Sequence, residues 1–139
     1  LQAFIEIAKT RQVGPNKMKN DPYARQLAAE VRASIEEMKL TMVRNFDAMM
    51  ESCRAGEPIP LDDRVRYRYD SAVVADRCLE LSSRMLKAAG SGGIRQGSEL
   101  LEFHLDMLAS QAHVANHSTP FANNMGGMMF GEENVDYAI

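Results

Sequence analysis

Residues 21–54 constrain the fold of this chain more than any other stretch. Asp21-Pro22 opens a helix: the aspartate can accept from free first-turn amides, and proline fits the first helical position, where an N–H is not needed. From there Leu27, Val31, Ile35, Met38, Met42, Phe46 and Met49 recur at steps of three and four. That spacing lays one apolar stripe along a helix. No glycine or proline interrupts before "GEPIPL" at residues 56–61. The spacing predicts a helix to about Arg54, about 50 Å long at 1.5 Å per residue. A stripe of that length needs partner helices to cover it.

The rest of the chain supplies them. A first helix is expected from Leu1 to about Val13, stopped by Gly14-Pro15 and followed by a polar link, "NKMKN". A third is expected from near Asp62 to a glycine cap at Gly90, with an inner line of Val65, Tyr69, Ala72, Ala75, Leu79, Ser82 and Leu86. Four glycines between residues 90 and 97 make a loop. Ser98 is placed to cap a fourth helix with Glu99 and Glu102 in its first turn, broken by Ser118-Thr119-Pro120. Thr119 then caps a short last helix to about Phe130, and the tail "EENVDYAI" is expected to be loosely held. No strand pattern is evident. The fold class is all-α: an up-down antiparallel four-helix bundle with a short C-terminal helix, one domain over residues 1–139. The chain opens on an uncapped apolar helix, "LQAFIEIAK", so a fragment of a longer protein is expected.

A hydrophobic share of 45% is enough for a real core. A net charge of −3 with no basic concentration argues against a nucleic-acid partner. No apolar run approaches the roughly 18 residues of a membrane span. Cys53 and Cys78 stand far apart with no metal-type spacing, and read as buried free thiols in a reducing cytosol. The ten methionines fall mostly at core spacing and read as packing.

Three features could carry chemistry. In "DMLASQAHVANH", residues 106–117, Asp106, His113 and His117 follow at intervals of seven and four, and with Glu102 and Ser110 fall near one line of the predicted fourth helix. That face is open to three readings: a solvated polar surface, a metal pair, or a cleft-facing histidine acting as general acid or base. Ser91, Gly92 and Gly93 form either a plain turn or a backbone surface that a ligand can approach closely. Arg11 closes the first helix, either complementing its dipole or gripping an anion.

Together these segments resemble the C-terminal helical domain of the acyl-CoA dehydrogenase superfamily. "FIEIAKTRQVG" followed by "YARQLAAEVRASIE" is similar to the family's arginine-ended segment and long helix. "SRMLKAAGSGGI" looks like its glycine-rich turn, and "LLEFHLDMLASQAH" with "STPFANNMGGMMFG" like its last helices. In many dehydrogenases of the family a catalytic glutamate follows the Asp of an Arg-Asp pair by eight residues. Here that position is Val114, and His113 stands one residue earlier. An Asp with a histidine seven residues on resembles the two-component flavin-dependent monooxygenases instead. The usual arginine before the Asp is Leu105 here, and a second family arginine is Glu102.

The resemblance implies an oxygenase that uses reduced FMN or FAD, delivered by a separate flavin reductase, to hydroxylate an aromatic or similar small organic substrate. It implies that His113 sits beside the flavin ring, that Ser91, Gly92 and Gly93 lie against that ring, and that Arg11 reaches a flavin phosphate, often across a subunit boundary. No metal, nucleic acid or membrane is implied. A cytoplasmic homotetramer built through the bundle is expected. A flavin dehydrogenase with its base elsewhere, or a non-catalytic self-associating bundle, are the alternatives.

Overall fold

The computed structural model describes residues 1–139. Its helices are α1 (Gln2–Thr10), α2 (Pro22–Ala55), α3 (Leu61–Ala89), α4 (Glu99–Gln111) and α5 (Ser118–Met129). A hairpin of β1 (Gln12–Val13) and β2 (Asn16–Lys17) separates α1 from α2, and short 3-10 turns lie at Met18–Asn20, Gly90–Gly92 and Val114–Asn116. The all-α reading holds, with α3 at the centre, in contact with α1, α2, α4 and α5.

α2 begins as its first residues require. The Ala24 N–H donates to Asp21 Oδ2 at 2.8 Å, satisfying a first-turn amide. Its far end stops at Gly56, which takes a left-handed φ of 70°. The stripe divides along its length. Leu27, Val31 and Met38 are buried in a core with Phe4, Ala8, Met18, Leu81, Met85, Leu86, Ala89 and Leu100. Beyond Met38 one side of the helix outruns its cover, and Phe46 is 54% exposed.

Ion pairs fix how α2 lies on α3. Arg84 pairs with Glu30, Arg77 with Glu37 at 3.0 Å, and Arg44 with Asp70 at 3.3 Å. Each step of seven along α2 is matched by a step of seven back along α3, the signature of two antiparallel helices in one register. The sign reverses at the last rung. There Asn45, 2% exposed, donates to Asp70 at 2.8 Å and accepts from Arg44, so the buried amide is satisfied.

The expected first helix runs past its true end. It stops at Thr10 because Arg11 turns extended (φ −68°, ψ 134°) while its N–H still bonds the Ile7 carbonyl. Gln12 then pairs with Lys17 and Val13 with Asn16. Gly14 takes a φ of 57° and Pro15 a fixed negative one, the signs of a type II′ turn, whose twist suits a hairpin. Strands of two residues have no readable period, and the polar link proves structural, since Met18 is 3% exposed in the core.

Four further expectations change. Ser98 occupies the N-cap position of α4, but its hydroxyl makes no capping bond. The N-cap of α5 is His117, so Thr119 lies inside that helix. The tail is pinned rather than loose: Asn124, 4% exposed, accepts from the Val135 N–H and donates to Asn134 Oδ1, both at 2.8 Å, and Asp136 faces Arg68. Asn134 and Asp136 in a polar tail carry no periodic signal, which is why the contact is invisible in the sequence. Of the two cysteines, Cys53 is exposed and only Cys78 is half-buried.

Candidate functional site

The glycine turn and the end of α1 meet. Arg11 Nη1 donates to the Ala88 carbonyl at 3.2 Å, which lays the guanidinium directly over Gly90. A Cβ on Gly90 would stand 2.6 Å from Arg11 Nη2, and the backbone there (φ 52°, ψ −142°) is open almost only to glycine. The groove beside this contact, about 620 Å³, is lined by Ile7, Thr10, Arg11, Gln12, Ser91, Gly92 and Arg95. It contains two guanidinium groups and no carboxylate, and none of the chain's ion pairs involves Arg11 or Arg95. Such a lining suits a phosphate, which takes a guanidinium fork well. Arg95 was not singled out from the sequence. A cation inside a glycine turn that faces a second arginine is the signal it offered.

Gly93 points elsewhere. It is buried, and a Cβ there would meet Ala89 Cβ at 2.7 Å and Leu100 Cδ2 at 3.5 Å. Its lack of a side chain lets α4 approach the end of α3, so of the three expected loop residues Ser91 and Gly92 line the groove and Gly93 packs beneath it.

The histidine face of the expected fourth helix does not exist as one surface. α4 ends at Gln111, and His113 is already extended (φ −74°, ψ 135°). The helix stops there because the chain turns: Asn116 reaches back to donate to the Ser110 carbonyl at 2.8 Å and to its hydroxyl at 3.2 Å. Asp106 therefore stays on α4, while His113 and His117 belong to the loop between α4 and α5. Within that loop His113 Nδ1 accepts from the Ala115 N–H at 3.2 Å. A nitrogen that accepts carries no proton, so the neutral ring of this exposed residue is held as the Nε2–H tautomer. His117 borders a separate cavity of about 250 Å³. There Arg68 stacks 4.3 Å from the Phe121 ring centre and meets Asp136 at 3.4 Å.

The third histidine, His104, plays a packing part. Its Nδ1 lies 2.9 Å from the hydroxyl of Ser82, which is buried between α3 and α4. The Ser82 hydroxyl also sits 2.9 Å from the Leu79 carbonyl and can donate its one proton there, leaving the ring to donate to it.

The structure thus brings Arg11, Ser91 and Gly92 together and leaves His113 at the opposite end of α4. Thirteen helical residues separate the two places by about 20 Å at 1.5 Å per residue. The distance from flavin ring to flavin phosphate is shorter than that.

The chain belongs to the family described as acyl-CoA dehydrogenase, C-terminal domain, whose model matches residues 1–118. Among its relatives is the flavin-dependent monooxygenase oxygenase subunit HsaA of Rhodococcus jostii (strain RHA1), 27% identical over 100 residues, which cover 72% of this chain and 26% of that protein. The crystal structure of 3-HSA hydroxylase from Rhodococcus sp. RHA1 superposes with a TM-score of 0.88 at 24% identity, over 99% of this chain and 36% of that one. XiaF from Streptomyces sp., solved with FADH2 and glycerol, superposes with a TM-score of 0.88 at 17% identity, over 97% and 35%. The two solved structures share the fold. This chain spans about a quarter of the length of the curated relatives it matches.

Proposed function

We propose that this chain is the C-terminal helical domain of a flavin-dependent monooxygenase, an oxygenase component that takes reduced flavin from a separate reductase and hydroxylates an aromatic or similar organic molecule. The observation that carries the reading is the basic groove, with Arg11 and Arg95 outside any ion pair against a backbone surface at Ser91 and Gly92. The relatives' names, a flavin-dependent oxygenase subunit and a hydroxylase, support the same class.

In this reading Arg11 and Arg95 would hold the flavin phosphate, and Ser91 would offer a hydroxyl donor beside them. Gly92 keeps the wall flat enough for close approach. The bound reduced flavin supplies the electrons that activate oxygen. His113 presents its Nε2–H to the reacting oxygen atoms and holds or delivers a proton at that atom. Because His113 lies too far from the groove to share one flavin with it, a complete site draws the groove from one copy and the histidine from another. That requires self-association, and a tetramer built through the bundle meets it. The exposed apolar residues Leu40, Val43 and Phe46 of α2 and Phe103 and Leu105 of α4 offer the surface.

FMN is the simpler reading, since nothing in these residues addresses an adenine. The FADH2 held by XiaF keeps FAD in the comparison. A cytoplasmic setting fits two unpaired cysteines and a need for reduced flavin. The test is flavin binding to the full-length protein, followed by fluorescence for FMN and FAD in turn. Arg11→Ala should weaken binding about 10- to 100-fold, the loss expected of one charged hydrogen-bonding partner at roughly 1.5–3 kcal/mol. His113→Asn should leave binding unchanged and lower the fraction of turnovers that hydroxylate substrate. Flavin affinity indifferent to Arg11 would remove the basis of the proposal.

A further inference from the structure

Both loop histidines hang between two anchors that converge on one side chain. Asp76 projects from the middle of α3. Its Oδ1 accepts from Gln111 Nε2, in the last residue of α4, at 2.6 Å. Its Oδ2 accepts from the hydroxyl of Ser118, the first residue of α5. One carboxylate therefore ties the two helix ends between which residues 112–117 are strung. Two bonds to one ionised carboxylate are among the stronger contacts a side chain can make. Asp76 forms no ion pair, so both its oxygens are committed to this clamp.

Backbone bonds close the loop's own turn, from the Asn116 N–H to the His113 carbonyl at 2.9 Å and from the His117 N–H to the Val114 carbonyl at 3.4 Å, but no buried side chain anchors it. His113, Val114 and His117 are exposed, and no residue between 112 and 117 is buried. Its side-chain bonds are the reach of Asn116 back to Ser110 and the bond from the Ala115 N–H to the His113 ring. The latter is short in sequence and survives only while the loop keeps its shape. Spreading the ends of α4 and α5 would change the turn that brings the Ala115 amide under the imidazole.

We propose that Asp76 is the positioning residue of the reaction: by clamping Gln111 to Ser118 it fixes the loop in the shape that selects the Nε2–H tautomer of His113. The functional weight of this rests on the proposed role of His113, but the clamp is testable without it. Asp76→Asn keeps the size of the side chain and one acceptor oxygen. Its amide group presents hydrogens where a donor must be received, so one of the two anchors is lost. Ser118→Ala removes the second anchor alone and leaves α3 untouched.

The experiment is nitrogen NMR on 15N-histidine-labelled full-length protein, reading the two ring nitrogens of His113 near pH 8 in the starting protein and in both variants. His104, held by Ser82 away from the loop, is the internal control. The starting protein should show His113 with a clearly protonated Nε2 and an unprotonated Nδ1. Both variants should move the two nitrogens toward the averaged values of a free imidazole, with His104 unmoved and helix content unchanged by circular dichroism. If Asp76→Asn fails to fold, Ser118→Ala carries the test. A His113 that keeps its single tautomer in a folded variant overturns the clamp, as does a starting protein with no preferred tautomer. A parallel measurement separates the two claims: loss of the tautomer with undiminished hydroxylation would keep the clamp and remove the role of His113.

Discussion

At the residue scale, burial decides which groups are chemically available. Cys78 sits on α3 against the core, and loss of water around it pushes its thiol above the ordinary range, with Arg77 pulling weakly the other way. The thiolate is the reactive form, so a raised value means less of it at any pH below the shifted range. Cys53, near the end of α2, is exposed. Iodoacetamide at pH 8 should therefore label Cys53 many times faster than Cys78, read by mass spectrometry of the intact protein after timed quenching. Equal rates would mean that α3 opens on the labelling timescale. Both cysteines look alike in the sequence, because each falls in a helical pattern. What separates them is that α2 runs on past its cover while α3 is packed along its length. The glycines were more legible. Gly90 reads as a cap and is one, but its second task, leaving room for the Arg11 guanidinium, depends on a partner 79 positions away and has no local trace.

At the element scale, the seven-residue ladder between α2 and α3 is a statement about register. Glu30 and Glu37 on α2 face Arg84 and Arg77, and the third rung swaps signs, Arg44 against Asp70. Sliding α3 by one heptad would set Arg77 or Arg84 against the wrong neighbour and bring the reversed rung into repulsion, so the pattern disfavours that slip. Each exposed pair contributes little, because water and salt screen it. Arg84→Glu should therefore cost a little more than a lost pair, because it creates repulsion. Combining it with Glu30→Arg should recover most of the loss, measured as a coupling energy by urea unfolding at low salt. Failure of the double variant to recover would mean that the rung packs rather than pairs. The sign with pH follows from Glu30, whose carboxyl is held below its usual value by Gln26 and then Arg84. Its contribution is present above the ordinary carboxylate range and is lost as pH falls through the lowered value. The stability gap between the starting protein and Arg84→Gln should close in that acidic window. This ladder was readable in principle, since heptad-spaced charges of known sign stand in the sequence. The ends of α1 and α4 were not, because both are set by what the next segment does: an extended Arg11 feeding a hairpin, and an Asn116 that folds back on Ser110.

At the scale of the whole molecule, the distribution of apolar surface is uneven, and that unevenness bears on function. The core gathers around α1, the first half of α2 and the last third of α3, where Phe4, Leu27 and Leu100 are almost fully enclosed. At the other end Leu40, Val43, Phe46 and Met50 stand 70%, 57%, 54% and 50% exposed along one side of α2. Steps of three and four put them on a common face, and a contiguous apolar face marks a contact surface more often than it is left bare. The proposed site needs the basic groove and His113 to come from different copies, so this surface and the site make the same demand by separate arguments. Phe46→Glu places a charge in the middle of the face, away from the residues that line the groove and from the His113 loop. In the full-length protein it should shift the sedimentation profile toward smaller species, and flavin-dependent hydroxylation should fall with the fraction of assembled protein rather than per assembled site. Activity that survives complete dissociation would show that one copy holds a whole site. The groove and the histidine would then have to serve different ligands, and Arg11 would lose its assignment to the flavin. Activity that returns when protein concentration is raised would tie the exposed face, the 20 Å separation along α4 and the chemistry of His113 into one assembly.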